Sequence, residues 1–232
     1  GVSIVLRSGN EFDLQRATQD IRTMIDDISA HSTSKALYVM KRVLVLDGSL
    51  HGKGGNTHGV IQELISKLPK TIDFDYIELK NIDDALTLES RIRAADGYIV
   101  GTGTYWQSWG SPLQRFLEQT TVWEATDVWL GKPLCTIVTM HSVGGMEVLS
   151  RLQANFALLG TLIPPMCCLV HSHVNQMALS ANETNRDIWD LSSLDTIAHN
   201  FKVSLFGKQS YMTWDVDREE IVTGVWFKKD KK

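Results

Sequence analysis

Strand and helix patterns alternate five times along this chain, which predicts an α/β fold: an open parallel sheet with helices on both faces. Three observations carry the prediction. The best strand candidates are apolar at consecutive positions, as in Val43, Leu44, Val45 and Leu46, a pattern that suits strands covered on both faces. The segments between them place apolar residues at three- and four-residue steps, the period of a helix with one buried face. Glycine and small polar residues collect where strands end and helices begin, the edge at which such sheets hold ligands.

Before the first strand, Leu14, Ala17, Ile21, Met24, Ile25 and Ile28 recur at helical spacing among acidic residues. This predicts one amphipathic helix in an N-terminal extension over residues 1–40, with the main domain at 41–207. The first strand ends at Asp47; Val60, Ile61, Leu64, Ile65 and Leu68 form the buried face of the next helix, stopped by Pro69. Ile72, Phe74 and Tyr76 alternate with polar residues, so the second strand is half-exposed and near an edge. Tyr98 to Thr102 is the third strand, and Leu113, Phe116 and Leu117 continue as a helix with Pro112 in its first turn. The fourth strand spans Leu134 to Met140; Met146, Leu149, Leu152, Phe156 and Leu159 follow at helical spacing, capped by Gly160. A fifth strand is expected between Leu162 and Val170, with Pro164 and Pro165 cutting into its start. Residues 172–185 read as a polar loop, and Ile188, Leu191, Leu194, Ile197, Ala198 and Phe201 as a last helix ending near Gly207. Residues 208–232 include Tyr211, Trp214 and Trp226, too apolar for a solvated tail, and are expected to pack on the domain or on a partner subunit.

With 43% hydrophobic residues, the 232-residue chain can bury one sizeable core. A formal net charge of −4, with no basic block beyond a terminal KKDKK, argues against nucleic acid as a partner. No apolar run approaches the roughly 20 residues of a membrane span, and the N-terminus lacks the basic-then-apolar order of a signal peptide. A cytoplasmic protein with no membrane partner is expected. Cys135, Cys167 and Cys168 form no Cys-x-x-Cys pair and read as small buried apolar residues. His171 and His173 lack a third ligand nearby, so no metal site is expected. Trp123, Trp129 and Trp189 are assigned to core or interface, and Asp187, Asp190 and Asp195 to the solvated face of the last helix.

The chemistry lies in three loops on one sheet edge. In the first, Gly48, Gly52, Gly54 and Gly55 let successive N–H groups converge on one point. Ser49, Asn56 and Thr57 add side-chain donors, and the following helix presents the positive end of its dipole. A phosphate fits there. Lys53 is followed by Gly54 rather than Ser or Thr, so this is no Walker loop, and Thr57 takes the place of the last glycine of a dinucleotide fingerprint. A terminal monophosphate suits it better. The second loop sets Tyr105 and Trp106 where rings can pack on a flat ligand, and the third offers backbone N–H groups at Ser142, Val143, Gly144 and Gly145. A phosphate at one end and a planar, acceptor-rich ring at the other describe FMN.

Through GSLHGKGGNT at 48–57, TYWQSWGSPLQRFLEQ at 104–119 and GKPLCTIVTMHSVGG at 131–145, residues 42 to about 170 resemble the NADPH-dependent FMN reductase and NAD(P)H:quinone reductase family. The resemblance implies a flavodoxin-like fold with five parallel strands in the order 2-1-3-4-5. It implies FMN as cofactor, with NADPH or NADH as co-substrate. Ser49, Lys53, Gly55, Asn56 and Thr57 would hold the phosphate. Thr104, Tyr105, Trp106 and Gln107 would flank the isoalloxazine ring, and His141, Ser142, Val143, Gly144 and Gly145 would line its pyrimidine side. The implied reaction is hydride transfer from NAD(P)H to N5 of FMN, then reduction of a quinone-like or other small acceptor, in a homodimer or higher homo-oligomer. His141 is the candidate for tuning the flavin as a donor near N1 and O2; the alternative is a histidine that only caps the next helix. Gly103 stands where the family often has proline, and Gln114, Glu118 and Gln119 replace a lysine and an Asp-Arg pair common in the following helix. Two further readings keep the fold: a flavodoxin-type electron carrier, which the modest charge disfavours, and a flavin-free binding module.

Overall fold

A computed structural model describes residues 10–34, 40–181, 191–207 and Arg218. The chain divides into two units, Gly1–Val39 and Met40–Lys232. In the first, a helix α1 (Glu11–Ser34) covers the stretch of helical spacing, with Glu11 and Asp13 in its first turn, where the dipole favours acidic side chains.

The second unit alternates β1 (Lys41–Asp47), α2 (Asn56–Ser66), β2 (Ile72–Glu78), α3 (Glu89–Arg93), β3 (Gly97–Gly103), α4 (Ser111–Thr120), β4 (Leu134–Met140), α5 (Gly145–Leu159), β5 (Cys168–Ser172), α6 (His173–Ala181) and α7 (Ser193–Phe206). The strands form one sheet in the order β2-β1-β3-β4-β5, each adjacent pair parallel. Class and order are those expected. Consecutive apolar residues serve opposite faces. Leu44, Leu46, Tyr98 and Val100 meet Phe116, Trp129 and Phe156 on one side. Val43, Val45 and Ile99 meet Ile61 and Leu64 of α2 and Ile197 and Phe201 of α7 on the other. The strand order reverses between β1 and β3, which opens a crevice at their carboxyl ends.

Two expectations need correction. The fifth strand begins at Cys168 and runs to Ser172, later than the Leu162–Val170 window. Pro164 and Pro165 have no N–H for a ladder, Met166 sits at φ 56°, and Leu162 makes only an isolated bridge to Pro133. The polar loop expected after it begins instead as helix α6. Ser172 Oγ accepts the Asn175 N–H at 3.3 Å, a serine cap, while His, Asn and Gln at the start of the helix hide its period.

Trp123 and Trp129 are buried, as are Cys135 and Cys167, whereas Cys168 is half-exposed rather than buried. Burial raises all three thiols, Cys167 to about 12. Asp195 is exposed and pairs with Lys67 at 2.9 Å. Asp187, Ile188, Trp189 and Asp190 lie outside the described residues, as does the 208–232 segment apart from Arg218, whose guanidinium donates to the Ala125 carbonyl at 3.2 Å. Among the described residues no helix is long and apolar enough to cross a membrane.

Candidate functional site

β1 delivers Asp47 to the sheet edge fully buried. One carboxylate oxygen accepts the Ser49 N–H at 3.0 Å and the other the Tyr76 hydroxyl at 2.7 Å. Because the one Tyr76 proton goes to Asp47, His58 Nδ1 is the donor in its 2.8 Å contact with the Tyr76 oxygen. Burial first, then the Asp47 carboxylate, holds the Tyr76 phenol well above its usual range, which keeps it a donor. Further along, Ser49 Oγ accepts the Gly52 N–H at 3.1 Å, and Glu78 accepts the Lys53 N–H at 2.8 Å. Lys80 holds the His51 carbonyl at 2.8 Å. Gly52 is at φ +59°, and a Cβ there would lie 2.0 Å from Glu78 Oε1, so only glycine fits. The loop is therefore fixed by its own bonds and by β2.

No side chain caps α2, whose N-cap is Gly55. The N–H groups of its first turn, at Asn56, Thr57 and His58, have no intrahelical acceptor and face the sheet edge with the dipole behind them. The Thr57 hydroxyl is 2.8 Å from that of Thr139, at the end of β4. This contact ties the helix start to the middle of the sheet.

The loop after β3 is a hairpin. Tyr105 and Ser108 exchange N–H···O bonds of 2.8 and 2.9 Å, and between them Trp106 and Gln107 both take positive φ, 49° and 61°. That is the twist a two-residue hairpin turn prefers, made here with residues other than Gly or Asn. Trp106 is wholly exposed at the tip. After β4, the His141 carbonyl accepts from the Val174 N–H at 3.0 Å and the Ser172 hydroxyl at 3.3 Å, while the His141 and His173 rings lie 5.6 Å apart. Gly144 is at φ +86°, and a Cβ there would sit 3.3 Å from Gln107 Cγ and 3.4 Å from Thr104 Cγ2. The second and third loops thus close on each other. The Gly145 N–H is already donated, to Met140 Sδ at 3.2 Å.

A cavity of about 630 Å³ lies between these loops. Of the residues expected at a ligand, Ser49, Gly55, Asn56, Thr57, Thr104, Tyr105 and His141 line it. Lys53, Trp106, Gln107, Ser142, Val143, Gly144 and Gly145 are not part of its wall; Gln107 and Gly144 instead meet each other beside Thr104. The wall also contains His51 and Thr139, which lie within the first and third motifs but were not among the expected contacts, and His171, His173 and Gln176, which lie outside the three motifs. The signal for the last three was positional: His171 lies at the end of β5, and His173 and Gln176 follow in α6, where the strand end shares this edge. No Asp, Glu, Lys or Arg side chain lines the cavity among the described residues. Thr104 Oγ1 and His171 Nδ1 are buried there without a hydrogen-bond partner. The described residues contain no group of three or more His, Cys, Asp or Glu placed to hold a metal ion.

Solved structures of similar shape include an NADH:FMN oxidoreductase, EmoB, in its apo form, at 19% identity and a TM-score of 0.57, covering 72% of this chain and 91% of that one. The flavoenzyme NAD(P)H:(acceptor) oxidoreductase FerB from Paracoccus denitrificans matches at 20% identity and a TM-score of 0.54, covering 71% and 95%. An oxidoreductase from Corynebacterium diphtheriae matches at 14% and 0.57, covering 73% and 100%. At such identities the likeness establishes the fold alone, and the strand order β2-β1-β3-β4-β5 makes that fold flavodoxin-like. The curated proteins contain no match to the sequence. Residues 41–176, more than half of the chain and all three loops, match the family described as NADPH-dependent FMN reductase; the chain belongs to that family.

Proposed function

We propose that the cavity binds FMN and that the chain reduces a small acceptor with NAD(P)H. The observation that carries this reading is the convergence, in one cavity at the switch point of the sheet, of an uncapped helix start and the unpartnered hydroxyl of Thr104. Ser49, Gly55, Asn56 and Thr57 hold the phosphate, with the first-turn N–H groups of α2 supplying its hydrogen bonds. Lys53 acts from outside the cavity wall, as a surface charge. Thr104 and Tyr105 border the chain-to-ring junction, and the Trp106–Gln107 hairpin and the His141–Gly145 loop flank the ring.

When bound, FMN supplies the hydride-accepting N5 and passes electrons to the acceptor. The protein's part is to hold and orient. With no carboxylate or amine on the described wall, proton traffic at the ring is left to solvent and to imidazoles, of which His141 is the candidate for the flavin N1/O2 edge. We assign to a second copy of the chain the cover over the ring end, where Trp106, Val143 and Met146 are exposed as side chains a partner would bury. The test is anaerobic addition of NADPH and, separately, NADH to the FMN-loaded protein, followed by visible absorption. Rapid loss of the oxidised flavin bands with either nucleotide supports the reductase. Bound flavin that stays oxidised overturns it in favour of an electron carrier, and failure to bind FMN removes the cofactor.

A further inference from the structure

His171 stands outside every motif of the sequence, yet its ring is set into the cavity wall in a fixed orientation. Its Nε2 lies 2.6 Å from Gln176 Oε1. An amide oxygen only accepts, so Nε2 carries the hydrogen, and in the neutral ring Nδ1 is left as a bare acceptor. That Nδ1 is buried and has no partner, a state folded proteins avoid unless something else completes it.

Its place in the sheet says what. His171 pairs in register with Thr139 across β4 and β5, so the two side chains leave the same face one strand spacing apart, about 4.8 Å. Thr139 is bonded to Thr57 in the first turn of α2, the phosphate end of the cavity. The hairpin tip and Gly144, at the ring end, meet each other instead. His171 therefore faces the span next to the phosphate, where a flavin phosphate carries a chain of hydroxyl groups, each a donor for an imidazole nitrogen. We infer that His171, oriented by Gln176, takes a hydrogen bond from the hydroxylated chain of the bound flavin and makes the site selective for that chain. The inference rests on the FMN reading and adds a positioning residue to it.

Flavin fluorescence titration tests it with two ligands, FMN and the analogue whose phosphate is joined to the ring by a hydroxyl-free pentyl chain. The variant His171→Phe keeps a ring of similar size. It is expected to weaken FMN by about tenfold, the scale of one buried hydrogen bond, and to leave the analogue within about twofold. Gln176→Met, at an exposed residue of the cavity wall outside the core, removes the carboxamide that orients the ring and weakens FMN by about threefold, again sparing the analogue. Equal losses for both ligands, or no loss for FMN in either variant, overturn the inference while leaving the flavin reading intact. Failure of the unmodified protein to bind either ligand overturns the flavin reading and this one with it.

Discussion

The two ends of the cavity are built on different terms. At the phosphate end, the loop after β1 is held throughout: Asp47 and Ser49 are buried and bond its amides, Glu78 at the end of β2 and Lys80 in the turn after it hold it from the side, and Thr57 is bonded to Thr139. At the ring end, Trp106 is wholly exposed, Val143 is 73% exposed, two non-glycine residues sit at positive φ, and the Thr104 hydroxyl is buried without a partner. On the proposed function, the first end is preorganised for the flavin phosphate, which keeps its place through a catalytic cycle. The second carries local strain of the kind that collects at sites where ligands come and go. A reductase that keeps its cofactor and exchanges its substrates needs that division.

Substitutions can break this contrast. Asp47→Ala removes the acceptor of both the Ser49 N–H and the Tyr76 hydroxyl and should lower the unfolding free energy by about 2–3 kcal/mol in urea titrations, with FMN affinity falling at least about tenfold. At the other end the sign reverses. Trp106→Gly relieves a left-handed backbone position without loss of packing, because the indole is fully exposed, and should stabilise the flavin-free protein by about 1 kcal/mol while slowing reduction of the bound flavin. Thr104→Val deletes a hydroxyl that has no partner and should raise stability by up to about 1 kcal/mol while weakening FMN. A loss of stability in both ring-end variants would show that this end is as well braced as the other.

The smallest effect is a control remote from both ends. Asp75 on β2 is held below its usual carboxylate range, chiefly by the hydrogen bond from Arg91. A depressed folded-state value means the pair stabilises the protein above about pH 4, and the contribution is lost as pH falls through the depressed value. Wild type should therefore exceed Asp75→Asn by a few tenths of a kcal/mol at neutral pH, converging with it in acid, with FMN affinity unaffected.

Much of this was legible from residues alone. Runs such as Leu134–Met140 are unambiguous because a doubly covered strand tolerates no polar face, and Gly160 at φ +118° marks its helix end by a backbone state other residues rarely adopt. The glycine-rich turn after β1 was legible for the same reason, since Gly52 sits at φ +59°. The hairpin tip was not, because Trp106-Gln107 lacks the Asn or Gly by which such turns are recognised. Nor was the β5–α6 wall, where two prolines blur the strand start and polar residues open a helix. His171 enters the cavity through sheet register with Thr139, a long-range relation that no local spacing encodes.

The most direct test of the account is the ratio of dissociation constants for riboflavin and FMN, measured side by side on the unmodified protein. The two ligands share ring and hydroxylated chain and differ only in the phosphate. A braced phosphate end predicts that FMN binds at least about a hundredfold more tightly, the worth of two charge-assisted hydrogen bonds. Equal affinities would mean that the loop from Gly48 to Thr57 is not the anchor, and would contradict the account at its base.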